Sequence, residues 1–239
     1  MSAPFSVYEH ELHRYQQIVR QRNQLLKFHR EKILNSPELE SWNEQLAKQG
    51  ARVIEKRMFA THRIGLLARL AHRSLTGRDE TLDVEYLSSI PKELDTQASE
   101  TEMALLQGLK EKGKHEARVG QTLLGPHRDD ILFSINKKNA RLFASQGQQR
   151  TLVLALKLAE LEFIKGESGE FPILLFDDVF SELDDKRRRL LVETIEGRVQ
   201  TLITGTAAER LGVFKSAGKI FTVHGGEVKL FDSHSSTTR

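Results

Sequence analysis

Two adjacent aspartates, Asp177 and Asp178, close the apolar run in "FPILLFDDVFSELDD", and Asp184 and Asp185 follow a few residues later. A run of this kind suits a strand inside a sheet, and a carboxylate at its end emerges where a ligand can meet it. Mg²⁺ takes oxygen ligands and keeps several waters, so one or two carboxylates beside phosphate oxygens suffice to hold it. On this reading Asp177 positions the metal, and Asp178 lies beside a terminal phosphate and polarises an attacking water. A plainer role, two exposed acids capping the following turn, suits the same residues.

The neighbouring segments narrow the choice. "ASQGQQRT" (Ala144–Thr151) places Ser145 and Gly147 just before a long helical pattern. A hydroxyl, a glycine that permits close approach and the free N–H groups of a helix start form an anion site; an ordinary N-cap has the same appearance. The acidic strand comes about thirty residues later, followed at once by "SELD" (Ser181–Asp184), and "LITGT" ends another strand in hydroxyls.

Positioning these groups requires a sheet with helices around it. After Gly120 the pattern predicts a β-hairpin ("DDILFSIN", "KKN", "ARLFA"), a buried helix in "GQQRTLVLALKLAELEFI" and the strand "FPILLFD", apolar enough to be covered on both faces. A helix over about 185–196, the strand "VQTLITGT", a short helix near "AAERL" and the pair "KIFTVH–GG–EVKLF" complete it. Strand–helix alternation of this kind belongs to α/β sheets, whose functional loops lie at the carboxyl ends of the strands. Before Gly120 the chain reads as helices: Tyr8–Leu34 with apolar residues at three- and four-residue steps, then Glu38–Leu75 with Ser36 as cap and Pro37 at the first position, loosened at Gly50. A strand over Thr81–Leu87 and a helix in "ASETEMALLQGLKEKGKHEA" follow. The two long helices joined by a short turn form an antiparallel arm.

Composition bounds the function classes. The chain has 239 residues, 38% hydrophobic and 29% charged, and no cysteine, which excludes disulfides, thiolate metal sites and cysteine nucleophiles. No apolar run reaches the ~18–20 residues of a membrane span, and the amino terminus lacks the layout of a secretory signal. A cytoplasmic protein without membrane partners is expected. Residues 1–75 carry 13 Lys/Arg against 7 Asp/Glu, and the remainder 23 against 26. A basic helical part on a slightly acidic body suits an anionic partner, although a solvated helical surface has the same balance.

The order of these motifs resembles the ATPase heads of the ABC and SMC superfamily, where a signature motif precedes Walker B, a D-loop and a switch segment. Within that superfamily the chain is similar to the RecF family from about Tyr8 to Leu230, in "QRNQLLK", "GPHRDD" (Gly125–Asp130), "SQGQQRT" and "DDVFSELD". The resemblance implies an α/β fold: the carboxyl-terminal part of an ABC/SMC-type P-loop ATPase head plus an all-helical antiparallel arm. The arm is expected over 1–115, the head part over 116–232 and a disordered tail over 233–239. It also implies ATP and Mg²⁺ as ligands, with Ser145, Gln146, Gly147 and Gln148 reaching the γ-phosphate held by a second subunit. Asp177 would serve the metal and Asp178 hydrolysis, where many relatives have glutamate. Ser181 and Asp184 would form the D-loop, and Thr204 stands where many ABC proteins place a switch histidine. Arg128 would help shape the head without a chemical step.

The resemblance further implies an ATP-dependent homodimer that binds DNA at single-strand–duplex junctions and promotes recombinase loading with RecO and RecR. Candidate phosphate contacts are Arg14, Arg20, Arg22, Lys27, Arg52, Lys56 and Arg57. No G-x-x-x-x-G-K-[ST] run is present. The chain is therefore expected to be the carboxyl-terminal portion of such a protein, without appreciable ATP hydrolysis alone. Two other classes stand beside this: a non-catalytic interaction module docking through the arm, and a nuclease using Asp129/Asp130 and Asp177/Asp178 as a two-metal cluster.

Overall fold

Two long helices lead the chain. α1 (Ala3–His29) and α2 (Pro37–Thr76) are joined by a 3₁₀ turn over Arg30–Ile33 in a computed structural model that describes residues 3–77, 79–90, 98–178, 183–205 and 218–231. Ser36 starts α2 by accepting the Leu39 N–H at 3.1 Å, with Pro37 in the first turn, where a missing N–H costs nothing. The helices run antiparallel: Arg22 meets Asn43 near the turn, and Arg57 meets Tyr8 far from it. Gly50 does not loosen α2, which is continuous through it. A Cβ there would lie 3.1 Å from Leu105 and 3.3 Å from Tyr15, so the glycine allows close packing of α1 and α3 (Ala98–Val119). Tyr15, Leu46, Ile54, Leu105 and Leu124 form the centre of this three-helix core.

The last turns of α2 leave the arm and pack against the head. Ala68 and Leu75 join cores built on α5 (Gln146–Ser168), with Leu152, Leu158 and Leu161 as their partners. β1 (Leu82–Leu87) pairs antiparallel with β2 (Asp130–Ile135), and β2 pairs with β3 (Lys138–Asn139). The turn residues Asn136 and Lys137 both have positive φ, as a tight two-residue hairpin turn requires. One expectation is corrected here. "ARLFA" is not the second strand of the hairpin, because the strand ends at Asn139, whose side chain caps a short helix, α4 (Ala140–Phe143), through the Arg141 N–H. β1, the strand expected over Thr81–Leu87, joins the helical part to β2 in one sheet.

β4 (Leu174–Phe176) and β5 (Thr201–Ile203) are parallel neighbours with α6 (Asp185–Ile195) as the crossover. Leu174 and Phe176 are buried against α5 and α6, whereas Leu175 on the opposite face is 70% exposed and Leu202 of β5 is 53% exposed. The sequence pattern predicted cover on both faces; among the described residues one face of this pair is left exposed. β6 (Phe221–His224) and β7 (Glu227–Leu230) form a hairpin over Gly225–Gly226. The "AAERL" helix and the 233–239 tail lie outside the described residues.

Candidate functional site

The acidic pair stands where the parallel strands end. The Thr204 N–H donates to Phe176 O at 2.9 Å, extending the β4–β5 ladder by one bond. That register brings the Thr204 hydroxyl to the acids: it donates to Asp177 Oδ1 and accepts the Asp178 N–H at 3.2 Å. Asp178 has φ +48°, a left-handed backbone that turns the chain sharply after the strand. Both carboxylates are exposed. Thus the structure brings Asp177, Asp178 and Thr204 together, an oxygen-rich group suited to a hard cation beside phosphate oxygens.

Ser145 caps α5. Its hydroxyl accepts the Gln148 N–H at 3.2 Å, and Gln148 Oε1 accepts the Ser145 N–H at 2.9 Å, so the pair forms a reciprocal capping box. Gln146 and Gly147 are exposed, and a Cβ on Gly147 would meet nothing closer than Ser145 Oγ at 4.0 Å. The helix start therefore faces solvent with its positive end accessible, an arrangement that attracts anions.

Asp184 caps α6 through the Arg187 N–H at 2.8 Å and pairs with the Arg187 guanidinium at 2.6 Å. Ser181, the other D-loop expectation, lies outside the described residues. Asp184 and Arg187 line a cavity of about 240 Å³ with Leu75, Thr76, Asp79 and Glu80. Sequence reasoning passed over Glu80, whose carboxylate accepts from Gln148 Nε2 at 2.8 Å. It stands 68 positions away, and no local pattern connects the two residues.

The cationic candidates divide sharply. Arg22 is not at the surface: it is fully buried and donates to Asn43 Oδ1 at 2.8 Å, Thr122 Oγ1 at 2.8 Å and Glu116 Oε2 at 2.6 Å. It is withdrawn as a phosphate contact, since each of its three guanidinium nitrogens already donates to α2, α3 or the segment after α3 and the side chain is excluded from solvent. Arg57 is half-buried, donating to Tyr8 Oη at 3.0 Å and to the Pro126 carbonyl. Lys56 pairs with Glu11 at 2.8 Å. Arg14, Arg20, Lys27 and Arg52 are exposed. Arg20 and Lys27, seven apart, share a face of α1.

"GPHRDD" is the joint between arm and head. His127 bonds Tyr15 Oη of α1 at 2.6 Å and the Thr122 carbonyl at 3.1 Å, and burial pushes its pKa down. Arg128 donates to the Thr122 carbonyl and to Gln121 Oε1. Asp129 accepts the Ser89 N–H at 2.7 Å and the Tyr86 hydroxyl. Burial pushes the Tyr86 pKa upward, assisted by Asp129. Asp129 is thus engaged in the joint, and among the described residues no three His, Asp or Glu side chains gather as a metal site. The two-metal nuclease reading has no cluster to stand on.

Gly108 and Gly113–Lys114 do have the glycine spacing of a phosphate loop, but His115 takes the Ser/Thr place and the whole run lies inside α3. Mid-helix N–H groups are spent on the helix itself and cannot cradle phosphates.

The chain matches no family model. Among curated proteins it is 46% identical over 232 residues to the DNA replication and repair protein RecF of Natranaerobius thermophilus, covering 93% of this chain and 60% of that one. It is 43% identical over 226 residues to RecF of Cyanothece sp., covering 92% and 59%. Among solved structures it resembles the recombination mediator protein RecF with ATP, of the RecFOR pathway, with a TM-score of 0.82 and 30% identity over 95% of this chain and 59% of that one. The chain spans about three fifths of the length of the curated relatives it matches.

Proposed function

Across the three fifths of their length that it spans, the chain belongs to the RecF family of DNA replication and repair proteins, and on that premise we propose that it supplies the signature side of an ATP-bridged head dimer that binds DNA. The observation that carries this reading is Thr204, whose one hydroxyl holds both Asp177 and the Asp178 backbone at the strand ends. The two bonds together fix the Asp177 carboxylate and the Asp178 backbone where the parallel strands end.

In this reading Ser145, Gln146, Gly147 and Gln148 meet the γ-phosphate of a nucleotide held by a second subunit, using a hydroxyl, amide donors and the exposed helix start. Asp177 would hold Mg²⁺, which supplies charge neutralisation on the phosphates when bound. Asp178 accepts the proton of the attacking water, and Asp184 faces the partner across the dimer. Arg14, Arg20, Lys27 and Arg52 contact DNA phosphates at single-strand–duplex junctions without reading bases. Recombinase loading with RecO- and RecR-type proteins follows as the downstream role. Since the sequence carries no G-x-x-x-x-G-K-[ST] run, this chain alone turns over no appreciable ATP.

Sedimentation of the chain with a phosphate-loop-bearing RecF relative tests the reading. ATP with Mg²⁺ should produce a mixed complex that ADP does not, and Ser145→Arg should abolish it. Association that ignores the nucleotide, or survives Ser145→Arg unchanged, overturns the proposal.

A further inference from the structure

His72 is the least explained group in the core. It lies in α2, fully buried, and neither ring nitrogen has a hydrogen-bond partner among the described residues. A buried polar group without a partner is costly and calls for a reason. Its Nε2 stands 3.5 Å from Glu80 Oε2, longer than a good hydrogen bond. The charged groups facing it are Glu80, from the loop after α2, and Arg187, from the first turn of α6. Asp79 and Asp184 line the cavity that Glu80 and Arg187 share.

Glu80 has a second engagement. Its other oxygen, Oε1, accepts from Gln148 Nε2, and the oxygen of that same amide closes the Ser145 cap. The Gln148 amide is thereby fixed in orientation: its oxygen toward the helix cap and its nitrogen toward Glu80. One carboxylate thus touches the signature helix, stands next to the buried His72 of α2 and shares a cavity with the Asp184–Arg187 pair of α6.

We propose that Glu80 is a positioning residue that links the signature segment Ser145–Gln148 to α2 through His72 and to the α6 cap through Arg187. The inference rests on the reading of Ser145–Gln148 as the nucleotide-facing segment. With His72 neutral, Glu80 is free to hold the Gln148 amide, and the helix start keeps its anion-ready geometry. A proton on His72 draws the carboxylate toward the ring, slackens its bond to Gln148 and loosens the cap. A strain on α2, to which His72 belongs, reaches the signature segment along the same route.

Side-chain NMR on the isotope-labelled chain tests this without nucleotide. In the unmutated protein the Gln148 amide resonances should shift with the same pH midpoint as the His72 ring. Glu80→Gln should make them independent of that midpoint and lower the His72 midpoint, whereas Glu85→Gln, at an exposed position of β1, should change neither. A Gln148 amide that ignores His72 in the unmutated chain, or still follows it in Glu80→Gln, overturns the link. Sedimentation with the ATP-loaded RecF relative supplies the second arm: Glu80→Ala, which removes the acceptor of the Gln148 amide, should associate about fivefold more weakly, the size of one lost hydrogen bond. Full association of Glu80→Ala overturns the positioning role. Failure of the unmutated chain to associate refutes the nucleotide reading instead, leaving the NMR link as its own result.

Discussion

Arg22 and Glu116 meet at 2.6 Å across α1 and α3, both side chains fully excluded from solvent. The pair is closed on every side: Glu116 Oε1 also accepts the Leu123 N–H at 2.7 Å, and Thr122, which accepts from Arg22, donates to Asn23. It ties the third helix to the first and fixes the segment that leads into "GPHRDD". Removing one partner leaves a buried charge uncompensated.

Arg22→Ala is therefore expected to destabilise the chain by about 3–5 kcal/mol. Replacing both charges together, as Arg22→Met with Glu116→Leu, should recover most of the loss. Urea unfolding followed by circular dichroism measures both. A change below about 1 kcal/mol for Arg22→Ala would show that the pair is not load-sharing in solution.

DNA affinity should depend on the exposed cations instead. Alanine at Arg14, Arg20, Lys27 or Arg52 is expected to lower the slope of log affinity against log salt by about one each. Fluorescence anisotropy on a labelled single-strand–duplex junction reads this. Binding that does not weaken with salt would remove the electrostatic account.

Thr204→Val should disturb the acids without unfolding the protein, because the bonds it removes lie at the surface. Mn²⁺ binding at the acids, read from the broadening of the Asp177 and Asp178 NMR resonances, is expected to weaken about tenfold, the equivalent of one orienting hydrogen bond. Thr204→Ser, which keeps the hydroxyl, should restore it. Equal Mn²⁺ binding by both variants would separate Thr204 from the acids' function.

Acidification should weaken the fold through two histidines. Burial holds the pKa values of His72 and His127 below the usual histidine value of about 6.5. The unfolded chain therefore takes up protons first as pH falls through about 6.5, while the folded chain resists. The stability is present above that pH and drains below it, by at most about 1.4 kcal/mol per pH unit for buried His72 and less for the more exposed His127. Thermal melts between pH 8 and 5 should show this slope, and His127→Asn should flatten part of it.

The bare face of β4 and β5 predicts association. Ile173, Leu175 and Leu202 are all more than half exposed, and parallel strands are ordinarily covered on both sides. Leu175→Lys should reduce concentration-dependent self-association in light scattering while changing folding stability by no more than about 0.5 kcal/mol.

Local signals were written plainly in the sequence. Ser36 before Pro37 and Ser145 three residues ahead of Gln148 both act within one helical turn, and each forms the cap that the sequence offered. The parallel pairing of β4 and β5 followed from an apolar strand, a helix and a second strand in succession. What depended on distant parts of the chain was not legible. Arg22 reads like Arg20 on α1, and only the packing of α3 decides that one is buried with Glu116 and the other exposed. Apolar spacing did not foretell the meeting of Glu80 with Gln148. The sequence determines caps, periods and motif order because those arise between neighbours. Tertiary packing decides which charges are exposed, which hydroxyl meets the acids at the end of β4 and which carboxylate reaches the start of α5, because those contacts join residues separated by many turns of chain.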